Sequence, residues 1–173
     1  MAYTWEVLSA IETVAGFSLS HSKKSFLLSY GWGLVFGLVF EISAEPLFDY
    51  QPIFAFYVWK DIPLAIVLGW GASIAGFQIV SDFVHRNRRI RNNTLKSIAA
   101  DTFVSGILGT LMEYLGSHDL ALWIYPASSV PLIVGMPVVC PLGWVVTSLG
   151  NLSLVRRLEA ALNREMGTSC GGI

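Results

Sequence analysis

Gly109 to Trp144 reads GTLMEYLGSHDLALWIYPASSVPLIVGMPVVCPLGW, and Gly37 to Trp70 reads GLVFEISAEPLFDYQPIFAFYVWKDIPLAIVLGW. Both stretches open on Gly-x-x-x-Glu inside an apolar run, Gly37 to Glu41 and Gly109 to Glu113. Both close on Pro-x-x-x-x-Leu-Gly-Trp, Pro63 to Trp70 and Pro137 to Trp144. The offset is 72 at the glutamates (113 − 41) and 74 at the prolines (137 − 63), so a two-residue indel separates the copies. Ser73 and Gly76 continue the match with Thr147 and Gly150. Self-similarity on this scale marks a supersecondary unit used twice.

The surrounding composition says what kind of unit it is. Of 173 residues, 54% are hydrophobic and 13% charged, with a mean hydropathy of +0.59. Soluble domains carry about 25% charged residues, so the chain reads as an integral membrane protein, in the cytoplasmic membrane or an endomembrane. Its length suits a single membrane domain. A net charge of −1 argues against a nucleic-acid partner. Cys140 sits in an apolar run and Cys170 in a Gly-rich tail, without metal or redox spacing. His21, His85 and His118 are scattered and form no ligand motif, so neither a metal nor another cofactor is expected.

Four apolar segments, approximately 25–45, 62–84, 96–116 and 132–154, can each cross about 30 Å of hydrocarbon. Residues 1–24 carry apolar residues at roughly helical spacing, interrupted by Glu6 and Glu12. They lack the basic start and cleavage site of a signal peptide and read as an interfacial amphipathic helix. The connection His85 to Lys96 holds four arginines and a lysine, and Arg156, Arg157 and Arg164 follow the last segment. The connections 46–61 and 117–131 hold one lysine between them. This bias places both termini and the basic loop in the cytoplasm. The expected fold is an all-α, four-span helical bundle of two parallel two-helix repeats, 25–84 and 97–155, joined by the loop 85–96 and followed by the tail 156–173. The repeats share an orientation about an axis along the membrane normal. The two aromatic outer loops are expected to fold back and cap the bundle.

Gly33, Gly37, Glu41 and Glu45 recur at i, i+4 on one helix face, as do Ser105, Gly109 and Glu113. Gly69, Ser73 and Gly76 match Gly143, Thr147 and Gly150 on the second helices. Small-residue stripes let membrane helices approach closely, so both glutamates should face the interior. A charged group there costs about 2.5 kcal/mol or more, which makes it a functional candidate. Glu41 and Glu113 are the candidate catalytic acids; hydrogen bonding between the repeats as neutral acids is the competing structural role. Trp70 and Trp144, roughly 10 Å inward of their prolines at 1.5 Å per residue, serve either as pocket walls or as core. Tyr125, Tyr57 and Glu45 complete the candidate substrate-binding set, although Glu45 before Pro46 also reads as a solvated helix end. Asp82 is expected to pair with the adjacent arginines, and Asp101 with the same basic loop.

Burial disfavours a charged carboxylate, so one glutamate can stay protonated and donate near neutral pH. Protonation of an alkene or epoxide leaves a carbocation that indole and phenol faces stabilise. The second carboxylate then takes a proton back or steers water. Glu113-x-x-Gly116, Tyr125, Gly135-x-Pro137 and Pro141-Leu142-x-Trp144 resemble the integral-membrane carotenoid hydratases of the bisanhydrobacterioruberin hydratase type. A looser likeness, an intramembrane glutamate in a small helical protein, extends to membrane-bound terpene cyclases. The resemblance covers roughly the second repeat. It implies a cofactor-independent hydratase or cyclase of an isoprenoid or other lipid-like substrate, with Glu113 as one acid. Family members are larger, and their Gly/Tyr-rich tract is reduced here to Leu122-Trp123-Ile124-Tyr125. A non-enzymatic subunit or homo-oligomer held by Gly stripes, and a small proton-coupled transporter, remain as alternatives. Membrane lipids are partners in all three readings.

Overall fold

The two i, i+4 stripes become the buried faces of two long helices. In α2 (Lys23–Ala44) the buried positions include Ser25, Ser29, Gly33, Gly37 and Glu41. In α4 (Thr94–Tyr114) they are Ser97, Asp101, Ser105, Gly109 and Glu113, each 72 residues later (97 − 25 through 113 − 41). The structure, a computed structural model, describes residues 3–87, 90, 94–126, 131–133 and 135–169. It is mostly helical, with five helices: α1 (Thr4–Leu19), α2, α3 (Leu64–Val84), α4 and α5 (Val139–Ser169). Arg88, Arg89, Arg91, Asn92 and Asn93 of the basic loop lie outside the described residues, as do Cys170 and the side chains of Arg156 and Arg164.

Three helical segments, Lys23–Ala44, Leu64–Val84 and Thr94–Asp119, are long and apolar enough to cross a membrane. In α2 and α4 the distribution of side chains is inverted relative to a water-soluble protein, whereas α3 buries a mainly apolar face with Trp70, Ile74 and Phe77. Val35 and Val39 on α2, and Phe103 and Ile107 on α4, are exposed, while serines, glycines and carboxyls fill the interior. Large exposed apolar surfaces mark an apolar partner, and lipid satisfies all of these faces at once. The apolar part of α5, Val139–Val155, is shorter. Its expected first turns, from 132, are instead a hairpin of β5 (Leu132–Ile133) with β6 (Met136–Pro137). Gly135 adopts φ +79° there, a left-handed conformation that glycine takes without penalty. Pro137 then delays the helix because it cannot donate within it.

The connection before α3 is built the same way, from β2 (Tyr57–Trp59) and β3 (Ile62–Pro63). The two long connections also join each other. β1 (Asp49–Tyr50) pairs antiparallel with β4 (Trp123–Ile124), setting Tyr50 opposite Trp123. Phe48, Phe54 and Leu122 from these loops are buried, so the loops fold over one end of the bundle. That loop end lies opposite the tail end, which carries residues 20–22, 85–87 and the last turns of α5.

Helix α1 departs from the interfacial arrangement expected of residues 1–24. It forms, but it runs alongside α3 instead of across the tail end. Glu6 Oε1 accepts from the backbone N–H of Ala55 and Phe56 at 3.0 and 3.2 Å, and Ser9 Oγ donates to the Ala65 carbonyl at 3.2 Å. Those contacts fix the start of α1 at the loop end. Its other end meets α2 through an edge-to-face contact of Phe17 with Phe26. Val7, Ile11 and Val14 point outward, while Trp5 and Ser9 turn inward. Glu6 and Ser9, polar residues within the apolar pattern, tie α1 to the bundle. The first and last described residues therefore lie at opposite ends.

Candidate functional site

The two glutamates close the interior stripes of α2 and α4, one turn or less from the loop end, and each is held by one indole and one phenol. Glu41 Oε1 accepts from Trp70 Nε1 at 2.7 Å, and its Oε2 accepts from the Tyr50 hydroxyl. Glu113 Oε1 accepts from Trp144 Nε1 at 2.8 Å, and its Oε2 from the Tyr125 hydroxyl at 2.6 Å. Trp123 Nε1 in turn donates to the Tyr125 oxygen at 3.0 Å. The glutamates are 3% and 4% exposed, and the two indole bonds are buried while the tyrosine bonds are part-buried; donors to a carboxylate matter most in such a low-dielectric setting.

Local sequence explains why both arrangements form. A Cβ added at Gly37 would overlap the Trp70 side chain, and one at Gly109 would overlap that of Trp144. The glycine one turn before each glutamate thus admits the indole that bonds it. The two rings then stack on each other, with centroids 3.8 Å apart and planes 18° from parallel. Gly33 serves closer backbone packing: its added Cβ would lie 2.7 Å from the Trp70 carbonyl oxygen. The tyrosines come from the two loops that the β1–β4 pairing joins, Tyr50 opposite Trp123 and Tyr125 one residue beyond β4. Burial, and then the adjacent Glu41 charge, pushes the Tyr50 hydroxyl well above its ordinary titration range. Burial, and then Glu113, does the same to Tyr125. Both remain protonated donors over the physiological range.

The glutamates and the stacked indoles line a cavity of about 250 Å3 between α1, α3, α4 and the loops. Its walls are chiefly aromatic and aliphatic, with Trp5, Phe48, Phe54 and Leu122 among them. Leu8, Met112 and Leu120 also line it and are 47%, 38% and 50% exposed, so its mouth opens sideways between α1 and α4. The volume is below the roughly 300–1,000 Å3 of pockets that enclose a drug-sized ligand. A long ligand would place one end inside and leave the rest in the surrounding apolar medium.

Of the residues singled out from sequence, Glu41, Glu113, Trp70 and Trp144 come together at this cavity, with Tyr125 bonded behind Glu113. Glu45 and Tyr57 do not join them. Glu45 forms an ion pair with Lys60 at 2.8 Å on the loop end. Tyr57 is exposed on β2. Asp101 takes a hydroxyl from Ser81 at 2.5 Å and meets His85 Nε2 at 3.1 Å, while Gln78 donates to Asp82 at 2.8 Å. Tyr50, Trp123, Glu12 and Ser73 belong to the site without having been assigned to it. For Tyr50 a signal existed: each loop carries a tyrosine 9 or 12 residues after its glutamate, at 50 and 125.

No family model, curated protein or solved structure matches the chain.

Proposed function

We propose that the chain is a membrane-embedded acid catalyst that modifies an isoprenoid or similarly apolar alkene or epoxide. The observation that carries this reading is the paired arrangement of Glu41 and Glu113. Both oxygens of each carboxyl are fixed by an indole and a phenol, and both groups border one aromatic-walled cavity. Two carboxyls buried together hold one negative charge more readily than two. The protonated member gives its proton to one carbon of the double bond, leaving a cation on the other, more substituted carbon. The Trp70 and Trp144 faces and the flanking phenylalanines stabilise that cation. The second carboxylate removes a proton, either from a neighbouring carbon after ring closure or from the water that adds. A proton passing back between the two carboxyls resets the site.

The same reading includes four spans, α2 to α5, as two parallel helix pairs with the basic connections in the cytoplasm. Helix α1 lies against α3 within the membrane, so its first residues reach the outer side. The buried polar groups toward the tail end, Ser29 with Asn151 at 3.1 Å and Asp101 with Ser81, favour a second reading, proton-coupled transport. Mass spectrometry of lipids co-purified in mild detergent separates the two. Acid catalysis gives an apolar alkene in Glu113→Gln and its hydrated or cyclised product in the wild type. Identical lipids in both, with pH-driven uptake into vesicles, would establish transport and remove the enzyme.

A further inference from the structure

Glu41 and Glu113 have both oxygens engaged, yet two polar groups on the same cavity do not. Among the described residues, nothing hydrogen-bonds to the Glu12 carboxyl, which lines the cavity from α1 at its sideways mouth. Ser73, across from it on α3, is 4% exposed, and its buried Oγ has no partner. Gly69 lines the same cavity, and a Cβ added there would meet nothing within 4 Å, so the space beside it is open. A buried hydroxyl without a partner is uncommon and calls for an explanation. Glu12 is exposed at the mouth, so its carboxyl is open to a donor carried in by a ligand.

We infer that Glu12 and Ser73 form a polar subsite of this cavity that takes a hydroxyl group on an otherwise apolar ligand. An alcohol both donates and accepts: its O–H points to the Glu12 carboxyl, and its oxygen receives the Ser73 proton. An ether accepts from Ser73 but leaves the Glu12 carboxylate without a donor, and an ammonium can donate to both but gives the Ser73 O–H no acceptor. The inference deepens the proposed function by naming the substrate class, a hydroxylated isoprenoid chain. The hydroxyl at Glu12 and Ser73 anchors the chain so that a double bond lies against Glu41 and Glu113. Glu12 and Ser73 are positioning residues and perform no proton transfer to carbon.

The test measures binding of farnesol, farnesyl methyl ether and farnesylamine to the full chain in nanodiscs, read by tryptophan emission, since Trp5, Trp70, Trp123 and Trp144 line the cavity. Wild type should prefer farnesol over the methyl ether by about tenfold or more, as expected for a hydrogen bond to a charged group. Ser73→Ala should weaken alcohol and ether together, because the oxygen of each accepts its proton. The preference should collapse in Glu12→Ala, with the methyl ether bound as in wild type, which shows that the cavity is intact. It should persist in Glu41→Gln and Glu113→Gln. Equal binding of alcohol and ether by the wild type, no binding of farnesol, or a preference that survives in Glu12→Ala would overturn the inference. So would tightest binding of farnesylamine, which would mark a simple cation site. Selective farnesol binding without product formation would leave this subsite standing and remove acid catalysis instead.

Discussion

Gly109→Ala adds one methyl group, and the structure states where it must go: into the Trp144 side chain. The ring cannot remain in place. It is held on one edge by Glu113 at 2.8 Å and on one face by Trp70 at a centroid distance of 3.8 Å, so moving it disturbs both. Overpacking costs about 1–3 kcal/mol, a buried carboxyl deprived of a donor about 1.5–3 kcal/mol, and a disrupted aromatic pair about 0.5–1.5 kcal/mol. Alanine in a helix returns about 0.8–1 kcal/mol relative to glycine. These contributions share one ring and do not add in full, which leaves a net loss of about 2–4 kcal/mol. Gly76→Ala gains the same helix propensity and meets nothing within 4 Å, so it should be neutral or slightly stabilising. Unfolding in mixed detergent micelles gives the free energies. Circular dichroism reports the exciton coupling of the stacked indoles, which Gly109→Ala should weaken without removing a tryptophan. A Gly109→Ala protein as stable as Gly76→Ala, with its exciton signal intact, would refute this account of the glycine stripe.

Three further outcomes follow from the same geometry. Tyr50 and Tyr125 have their titration pushed upward, so the stability they provide is present below the ordinary tyrosine value of about 10 and is lost as pH rises past it. In tyrosinate absorbance, two of the six tyrosines should therefore titrate only when the protein unfolds. Replacing Tyr125 by phenylalanine leaves Glu113 Oε2 without its donor, and should cost about 1–3 kcal/mol in the same micelle assay together with most of the turnover. Lys60→Met breaks an ion pair at the exposed loop end, and should change neither the melting temperature nor ligand binding.

The interior stripes were legible because helical spacing and small size suffice to define them. Gly37, Glu41, Gly109 and Glu113 lie where i, i+4 periodicity puts them, and the Leu-Gly-Trp motifs bring Trp70 and Trp144 to the same depth. Their stacking was not legible, since it depends on how α3 and α5 meet. Tyr50 was not legible because its spacing from Glu41 differs from that of Tyr125 from Glu113, and only the folded loops bring both hydroxyls to the glutamates. The hairpin at 131–138 read as membrane span because Leu132, Ile133, Val134 and Met136 are all apolar. The contacts of helix α1 with the bundle were not legible for a related reason. Its charges suggested a water-facing side, whereas Glu6 spends its charge on backbone N–H groups of the loop.

Two similar helix pairs would be expected to leave similar spaces on both sides, and the residues that break this equivalence create the cavity. Phe40 on α2 packs over Gly143, where an added Cβ would lie 2.8 Å from its ring. The corresponding residue on α4, 72 positions on (112 − 40), is Met112, and the glycine corresponding to Gly143 is Gly69, which has open space beside it. Trp32 likewise lies 3.4 Å from an added Cβ at Gly150, while its counterpart is Val104 and Gly76 is open. Smaller residues on α4 thus leave room that α2 fills, and α1 closes that room with Trp5, Ser9 and Glu12. The same asymmetry gives Glu41 and Glu113 different surroundings despite identical partners, which is what an acid and a base require. Met112→Phe should restore the filling seen at Phe40. Cavity filling typically adds about 0.5–2 kcal/mol, so the variant should be as stable as wild type or more so while losing farnesol binding and turnover together. Full binding in a stable Met112→Phe protein would show that the ligand enters elsewhere.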